Sequence, residues 1–276
     1  MDTARDPSAL RRFAVVGSSH LFGLIDQYVE PLATGRFQHV WDDGTPALAE
    51  LRADIPGWRG DALLYNTPVA GPPPLFKEQV LYIPPQLTAV LGHLPADVDV
   101  VFSLMRGQEF AVSQLVDDPS HGDFIGDDGG FEPGRRWMSR ADALAWAQDV
   151  AQPLLTTNLA LRQQFPRARI VHLPAPPPIE DEAHIRANAE GFDPLFALHG
   201  VKPFAMRLRF YRLMYGELNR QLAAHGIASL PPPPGSLTPA GALRADHARG
   251  CLHGNQLYAQ GLAVQIREVL EHVSSL

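Results

Sequence analysis

Cysteine is nearly absent from this chain: Cys251 is the only one in 276 residues. A single thiol excludes an internal disulfide framework and any metal site built from several cysteines. Long apolar runs are missing too, and no stretch approaches the roughly 20 consecutive apolar residues of a membrane helix. Positive charge is not in excess. The 23 Lys+Arg stand against 30 Asp+Glu, a formal net charge of −7, so nucleic acid is not an expected partner. The opening Met1-Asp2-Thr3-Ala4-Arg5-Asp6 is polar and lacks the apolar core of a cleaved signal, which makes a cytoplasmic location the expectation. Repeats of fixed period and low-complexity linkers are also lacking.

What is present is a soluble, core-forming composition, 45% hydrophobic and 19% charged, of a length suited to one domain over residues 1–276. The 26 prolines cluster at 72–74, 176–178 and 231–234, where they must interrupt helix and sheet. Between these breaks, short apolar runs alternate with long helical patterns. Phe13–Gly17 reads as a buried parallel strand followed by a helix over His20–Tyr28. Strands are also expected at Phe37–Trp41, Val98–Leu104, Arg169–Leu173 and Ile227–Leu230. Helices are expected over 140–165, where Ser139 can cap and Pro153 should kink or split the pattern, over 203–225 before Gly226, and over 256–273. Such alternation predicts a three-layer α/β/α fold around a parallel sheet. One stretch departs from it. Residues 114–137 are acidic, rich in glycine and poor in apolar side chains, which suits a functional lid or a solvated insertion.

Three segments carry candidate chemistry. Gly17-Ser18-Ser19-His20 sits where the first strand turns into a helix, so its serines either cap that helix or offer a nucleophile with a backbone amide as oxyanion donor. Without a glycine at Ser19 it is not a dinucleotide fingerprint. Ser103-Leu104-Met105-Arg106-Gly107-Gln108-Glu109 ends the strongest strand, where a glycine followed by a side-chain amide can point a donor into the crevice. His253, just before the last helix, can serve as base to a serine from the other end of the chain.

In order and placement these segments resemble the SGNH/GDSL hydrolases, a family of esterases, lipases, carbohydrate deacetylases and acyltransferases. Gly17-Ser18-Ser19 is similar to the family's Gly-Asp-Ser block, with Ser19 at the nucleophile. Gly107-Gln108-Glu109 resembles its Gly-x-Asn-Asp block, with Gln108 at the asparagine, and His253-Gly254-Asn255 resembles the catalytic-histidine block. The resemblance implies a flavodoxin-like sheet. It further implies an acyl-ester hydrolase acting on small-molecule or carbohydrate esters, with Ser19 as nucleophile, His253 as general base, and Ser19, Gln108 and Gly107 forming the oxyanion hole. No metal or cofactor is implied. Two departures stand out. Gly250 occupies the position of the aspartate three residues before the histidine, which leaves Asp246 as the nearest acid to orient His253, and glutamine replaces the asparagine. These departures leave open a degenerate, ligand-binding member of the fold, and the family also includes acyltransferases. The second-block glycine has two candidates, Gly44 and Gly60.

Other features read as structural. Asp117, Asp118, His121, Asp123, Asp127 and Asp128 could hold a hard cation but do not follow the EF-hand spacing. His20 points away from Ser19 at a helix start, and Cys251 has no neighbour in sequence that would activate it. Trp137, Trp146 and Phe110 could line an acyl or sugar pocket or belong to the core.

Overall fold

The computed structural model describes residues 10–21, 23–24, 37, 39–51, 55–105, 115–118, 120–127 and 129–274. Strand β1 (Arg11–Gly17) is followed by a 3-10 turn at Ser19–Leu21, the short helix α1 (His39–Asp42), β2 (Ala47–Leu51) and β3 (Trp58–Leu64). A hairpin of β4 (Leu75–Lys77) and β5 (Val80–Tyr82) leads to α2 (Pro85–Leu91) and β6 (Val100–Leu104). Then come α3 (Arg140–Gln164), β7 (Arg169–His172), α4 (Glu182–Ala187), α5 (Asp193–His199), α6 (Phe204–Ala224) and β8 (Ala228–Ser229). The two-residue strands β9 (Ala248–Arg249) and β10 (His253–Gly254) precede the closing helix α7 (Gln256–Ser274).

The six-stranded sheet has the order β2-β3-β1-β6-β7-β8. Its neighbours pair in parallel except β2, which lies antiparallel to β3 at the edge. The five parallel strands follow the flavodoxin-like order 2-1-3-4-5, whose direction of growth reverses between β1 and β6. Gly17 pairs with Leu104 at that point. Both strands end here, and loops leaving them open a crevice.

Alternation along β1 builds the two faces. Phe13 and Val15 join Phe102, Val171 and the α7 side chains Leu262, Ile266 and Leu270 in one core. Ala14 and Val16 join Val101, Ile170, Leu154 and Leu218 from α3 and α6 in the other. The result is the expected three-layer α/β/α arrangement.

Several expected elements change in detail. Phe37–Trp41 is not a strand, since residues 39–42 form α1. Strands β2 and β3 lack an uninterrupted apolar run. In β3 the interruption has a packing cause: a Cβ on Gly60 would lie 2.3 Å from Cζ of Phe13, so the strand carries glycine where that ring crosses it. The next residue, Asp61, is buried and pairs with Arg12 at 3.3 Å. Pro153 lies inside α3 without splitting it. It forfeits one backbone hydrogen bond, but Ala147, Ala151, Leu154 and Leu161 are wholly buried around it and hold the helix by packing. Beyond Leu21, only 23–24 of the expected helix over His20–Tyr28 fall among the described residues.

The acidic insertion is tied to the body. Val116 bridges Val201 and Asp123 bridges Trp137. Asp123 is fully buried, accepts from the amides of Phe124 and Glu132, and pairs with the Arg209 guanidinium. Asp117 pairs with Arg135 and Asp127 with Arg140. Its acids are therefore largely spent on arginines, and among the described residues no group of three or more His, Cys, Asp or Glu is placed to hold a metal ion. Among those residues no helix is long and apolar enough to cross a membrane.

Candidate active site

The turn after β1 is fixed by crowding. A Cβ on Gly17 would lie 2.9 Å from Cβ of Leu104, so the strand reaches its end without a side chain. The Leu21 amide then donates to the Ser18 carbonyl at 2.9 Å, and the buried Leu21 anchors the turn. Ser19 is left half-buried at the C-terminal edge of the sheet. Two residues beyond Leu21, a Cβ on Gly23 would lie 2.9 Å from Cβ of Ala259 on α7. That close approach brings the last helix, and with it His253, against the first turn.

His253 sits on β10, paired with Arg249 of β9. Asn255 starts α7, its Oδ1 accepting from the Leu257 amide at 2.8 Å while its Nδ2 donates to the Asp246 carbonyl at 2.7 Å. At Gly254 a Cβ would lie 2.4 Å from the Tyr258 ring, so the residue after the histidine must be small. In this frame Ser19 Oγ lies 3.0 Å from His253 Nε2.

The opposite ring nitrogen, His253 Nδ1, lies 3.1 Å from Oε2 of Glu190. A carboxylate can only accept, so His253 protonated on Nδ1 donates to Glu190 and leaves Nε2 to accept the Ser19 hydroxyl proton. Glu190 lies between α4 and α5 and takes φ of +49°, a left-handed conformation uncommon outside glycine, followed by Gly191 at +92°. Burial alone would push its carboxyl up, but the bond and charge of His253 and the bonds from Cys251 outweigh that and hold it below the usual range. The Cys251 amide donates to Oε2 at 3.3 Å. The thiol faces the same carboxylate at 3.7 Å and the Ala189 carbonyl at 3.5 Å, and burial together with Glu190 pushes it up to about 12. Cys251 is thus a buried support for Glu190. A further tie runs from His184 Nε2 to the Gly250 carbonyl at 3.1 Å.

Asp246, expected to orient His253, does something else. Its carboxylate accepts from Arg244 Nε and Nη2 at 3.0 and 2.8 Å and from His247 Nδ1 at 2.9 Å, and these partners hold its pKa well below the usual range. Proximity in sequence pointed to it, whereas the acid on His253 comes from 63 residues upstream. Spacing to the histidine could not reveal Glu190. The available sign was negative, the missing side chain at Gly250.

His20 lies beside the site, its ring tilted 45° to that of His253 with the centroids 4.7 Å apart. Burial, then the neighbouring His253 and Arg249, push its pKa down to about 3, so it stays neutral. Gln108 and Gly107 lie outside the described residues, as do Phe110 and Asp128. Gly60 is inside β3 against Phe13. Trp146 packs on Phe210 at 4.7 Å in a small core cluster, and Trp137 is exposed.

The fold and site together define a class: a three-layer α/β/α protein with a Ser–His–acid array at the switch point of its sheet. Neither a protein-family model nor a curated protein sequence matches the chain. Among solved structures, it is similar to phospholipase A1 from Streptomyces albidoflavus, at 13% identity and a TM-score of 0.47, covering 94% of this chain and 100% of that one. It is similar to an extracellular lipase from Streptomyces rimosus at 13% identity and a TM-score of 0.49, with 93% and 99% covered. A carbohydrate acetylesterase from Sinorhizobium meliloti is similar at 14% identity and a TM-score of 0.40, with 95% and 99% covered.

Proposed function

We propose that this chain hydrolyses carboxylic esters, with Ser19 as nucleophile, His253 as general base and Glu190 as the acid that orients the histidine. One observation carries the reading: Ser19 Oγ, His253 and Glu190 form a continuous relay, with contacts of 3.0 and 3.1 Å on opposite ring nitrogens. That is the arrangement a weakly nucleophilic hydroxyl needs in order to lose its proton as it attacks.

Ser19 Oγ adds to the ester carbonyl carbon while its proton passes to His253 Nε2. The resulting imidazolium is stabilised by the Glu190 carboxylate. The tetrahedral oxyanion is met by the Ser19 backbone amide, with Gln108 and Gly107 as the further donors that the sequence motif suggests. Collapse breaks the bond to the alcohol, which leaves with the proton from His253. Water then adds to the acyl-serine, giving a proton to His253, and the second collapse releases the carboxylic acid and returns that proton to Ser19. Gly250 and Gln108 are the two departures that leave a degenerate binding protein open, and at the first of them Glu190 offers a carboxylate to the ring nitrogen that the aspartate would serve.

Labelling with a fluorophosphonate probe tests this. The expected result is labelling of the wild type that disappears in Ser19→Ala and His253→Ala, together with turnover of p-nitrophenyl acetate that is lost in the same variants. Unchanged turnover in Ser19→Ala, or no labelling of a folded wild type, would overturn it.

A further inference from the structure

Away from Ser19, His253 and Glu190, a cavity of about 340 Å³ opens between α3, α6 and the acidic insertion. That volume lies within the range of small-molecule sites. Four arginines line it, Arg140, Arg209, Arg212 and Arg220, in a chain whose formal net charge is −7.

Their partners differ. Arg220 is matched by Glu217, which also accepts from Gln148 and Gln221. Arg140 meets Asp127 at 3.4 Å in an exposed pair. Arg209 is buried and paired through Nη1 with Asp123, yet its Nε is buried with no partner. Among the described residues Arg212 has no carboxylate partner, and its Nη2 donates to the Ala240 carbonyl at 2.5 Å. Two acids, Asp127 and Glu217, also line the cavity, and both are already engaged by Arg140 and Arg220. The positive charge left over is that of Arg212, beside the unused donor of Arg209.

The accessible apolar wall comes from Leu144 of α3 and Leu213 of α6, with Phe124 of the insertion buried behind it. Gly216 lies in the middle of α6, where glycine costs about 1 kcal/mol relative to alanine. No atom lies within 4 Å of where its Cβ would be, so packing does not demand the glycine, and any larger residue would project into the cavity it lines.

We propose that this cavity is a second ligand site, for an organic oxyanion: a carboxylate or phosphate carried on a small apolar body. The guanidinium groups of Arg212 and Arg209 hold the anion, since planar N–H forks match such oxygens, and the apolar body lies on Leu144 and Leu213 over Gly216. The insertion is then a wall of this site.

Calorimetric titration of the full chain with phenyl phosphate, benzoate, inorganic phosphate and phenol tests the proposal, and it does not depend on esterase activity. Saturable binding of phenyl phosphate or benzoate is expected, with the stronger of the two naming the anion. Arg212→Gln should weaken it about tenfold or more, the loss of one hydrogen bond to a charged group. Gly216→Leu, a substitution that favours the helix, should abolish it while leaving the melting temperature undiminished. Absence of saturable binding by both organic anions would overturn the proposal. So would binding that survives Gly216→Leu, phenol binding as tightly as the anions, or inorganic phosphate binding as tightly as phenyl phosphate.

Discussion

A Cβ on Gly250 would lie 2.0 Å from Cδ of Glu190. The two positions share one volume: the glutamate carboxylate fills the space that a side chain at 250 would need. Gly250 also takes φ of +61°, which side-chain-bearing residues rarely adopt. The glycine that breaks the sequence pattern is thus the room into which the acid from another loop is folded. Gly250→Ala should displace Glu190 and lower kcat with little change in KM. In a Glu190→Gly background, Gly250→Asp should recover activity that Glu190→Gly alone has lost. Steady-state kinetics of the three variants checks this, and a double variant no better than Glu190→Gly refutes the exchange.

Glu190→Gln keeps the size of the side chain but removes its charge. The amide can present its N–H₂ group to Nδ1 and favour the wrong tautomer of His253, and loss of the orienting acid in a serine-protease triad costs about 10⁴ in kcat. A fall of that order is expected, with fluorophosphonate labelling slowed in parallel. Asp246→Asn, which alters a carboxylate bound to Arg244 and His247 rather than to His253, should leave kcat essentially unchanged.

These contrasts separate what the sequence could reveal from what it could not. Two of the parallel strands were legible, Phe13–Gly17 as an apolar run and Val98–Leu104 by its β-branched residues, because strands buried on both faces favour such side chains. Strand β3 was not, because Gly60 and Asp61 serve Phe13 and Arg12 and break the run for reasons that exist only in three dimensions. Ser19 and His253 could be picked out because each sits at a strand or helix boundary with its own local signal. Glu190 has none, since its role follows from a left-handed turn between two short helices that packs against a hairpin from the far end of the chain.

Acid should destabilise the fold through two histidines. Burial holds His172 down to about 4, and burial with His253 and Arg249 holds His20 down to about 3. Both pKa values lie below the unfolded value of about 6.5, so the unfolded chain binds protons that the folded chain refuses. Stability is then fully present above about pH 6.5 and falls as pH drops toward 4 and 3, by at most about 1.4 kcal/mol per pH unit for each histidine. His172→Gln should flatten the slope between pH 6.5 and 4. Urea unfolding at a series of pH values reads it directly, and an unchanged slope would remove His172 as a contributor.

The insertion should depend on one buried charge. Asp123 is fully buried and is held by Arg209 and two backbone amides. Asp123→Ala leaves the Arg209 cation in the interior without its counter-charge, a change that typically costs about 3–5 kcal/mol. Thermal unfolding should show a drop of roughly 10 °C on the scale expected for a chain of this size. The paired variant Asp123→Leu/Arg209→Leu should be less destabilised than Asp123→Ala alone, because no unpaired charge remains.

Phe13 and Gly60 offer the cleanest energetic test of the sheet. The Phe13 ring stands edge-on to both Trp58 and Phe102, with centroids 6.3 and 6.2 Å away, and it crosses β3 where Gly60 leaves room for it. Gly60→Ala should improve the intrinsic strand preference yet destabilise the protein, because the new methyl would sit 2.3 Å from Cζ of Phe13. Overpacking of this kind costs about 1–3 kcal/mol. Phe13→Leu creates the opposite fault, a space beside Gly60. If the two residues are matched to each other, the double variant Phe13→Leu/Gly60→Ala is more stable than the sum of the single losses predicts, with a coupling of about 0.5–3 kcal/mol. Strict additivity in denaturant unfolding would mean that β3 shifts to accommodate the methyl and that glycine at 60 is not required by the ring.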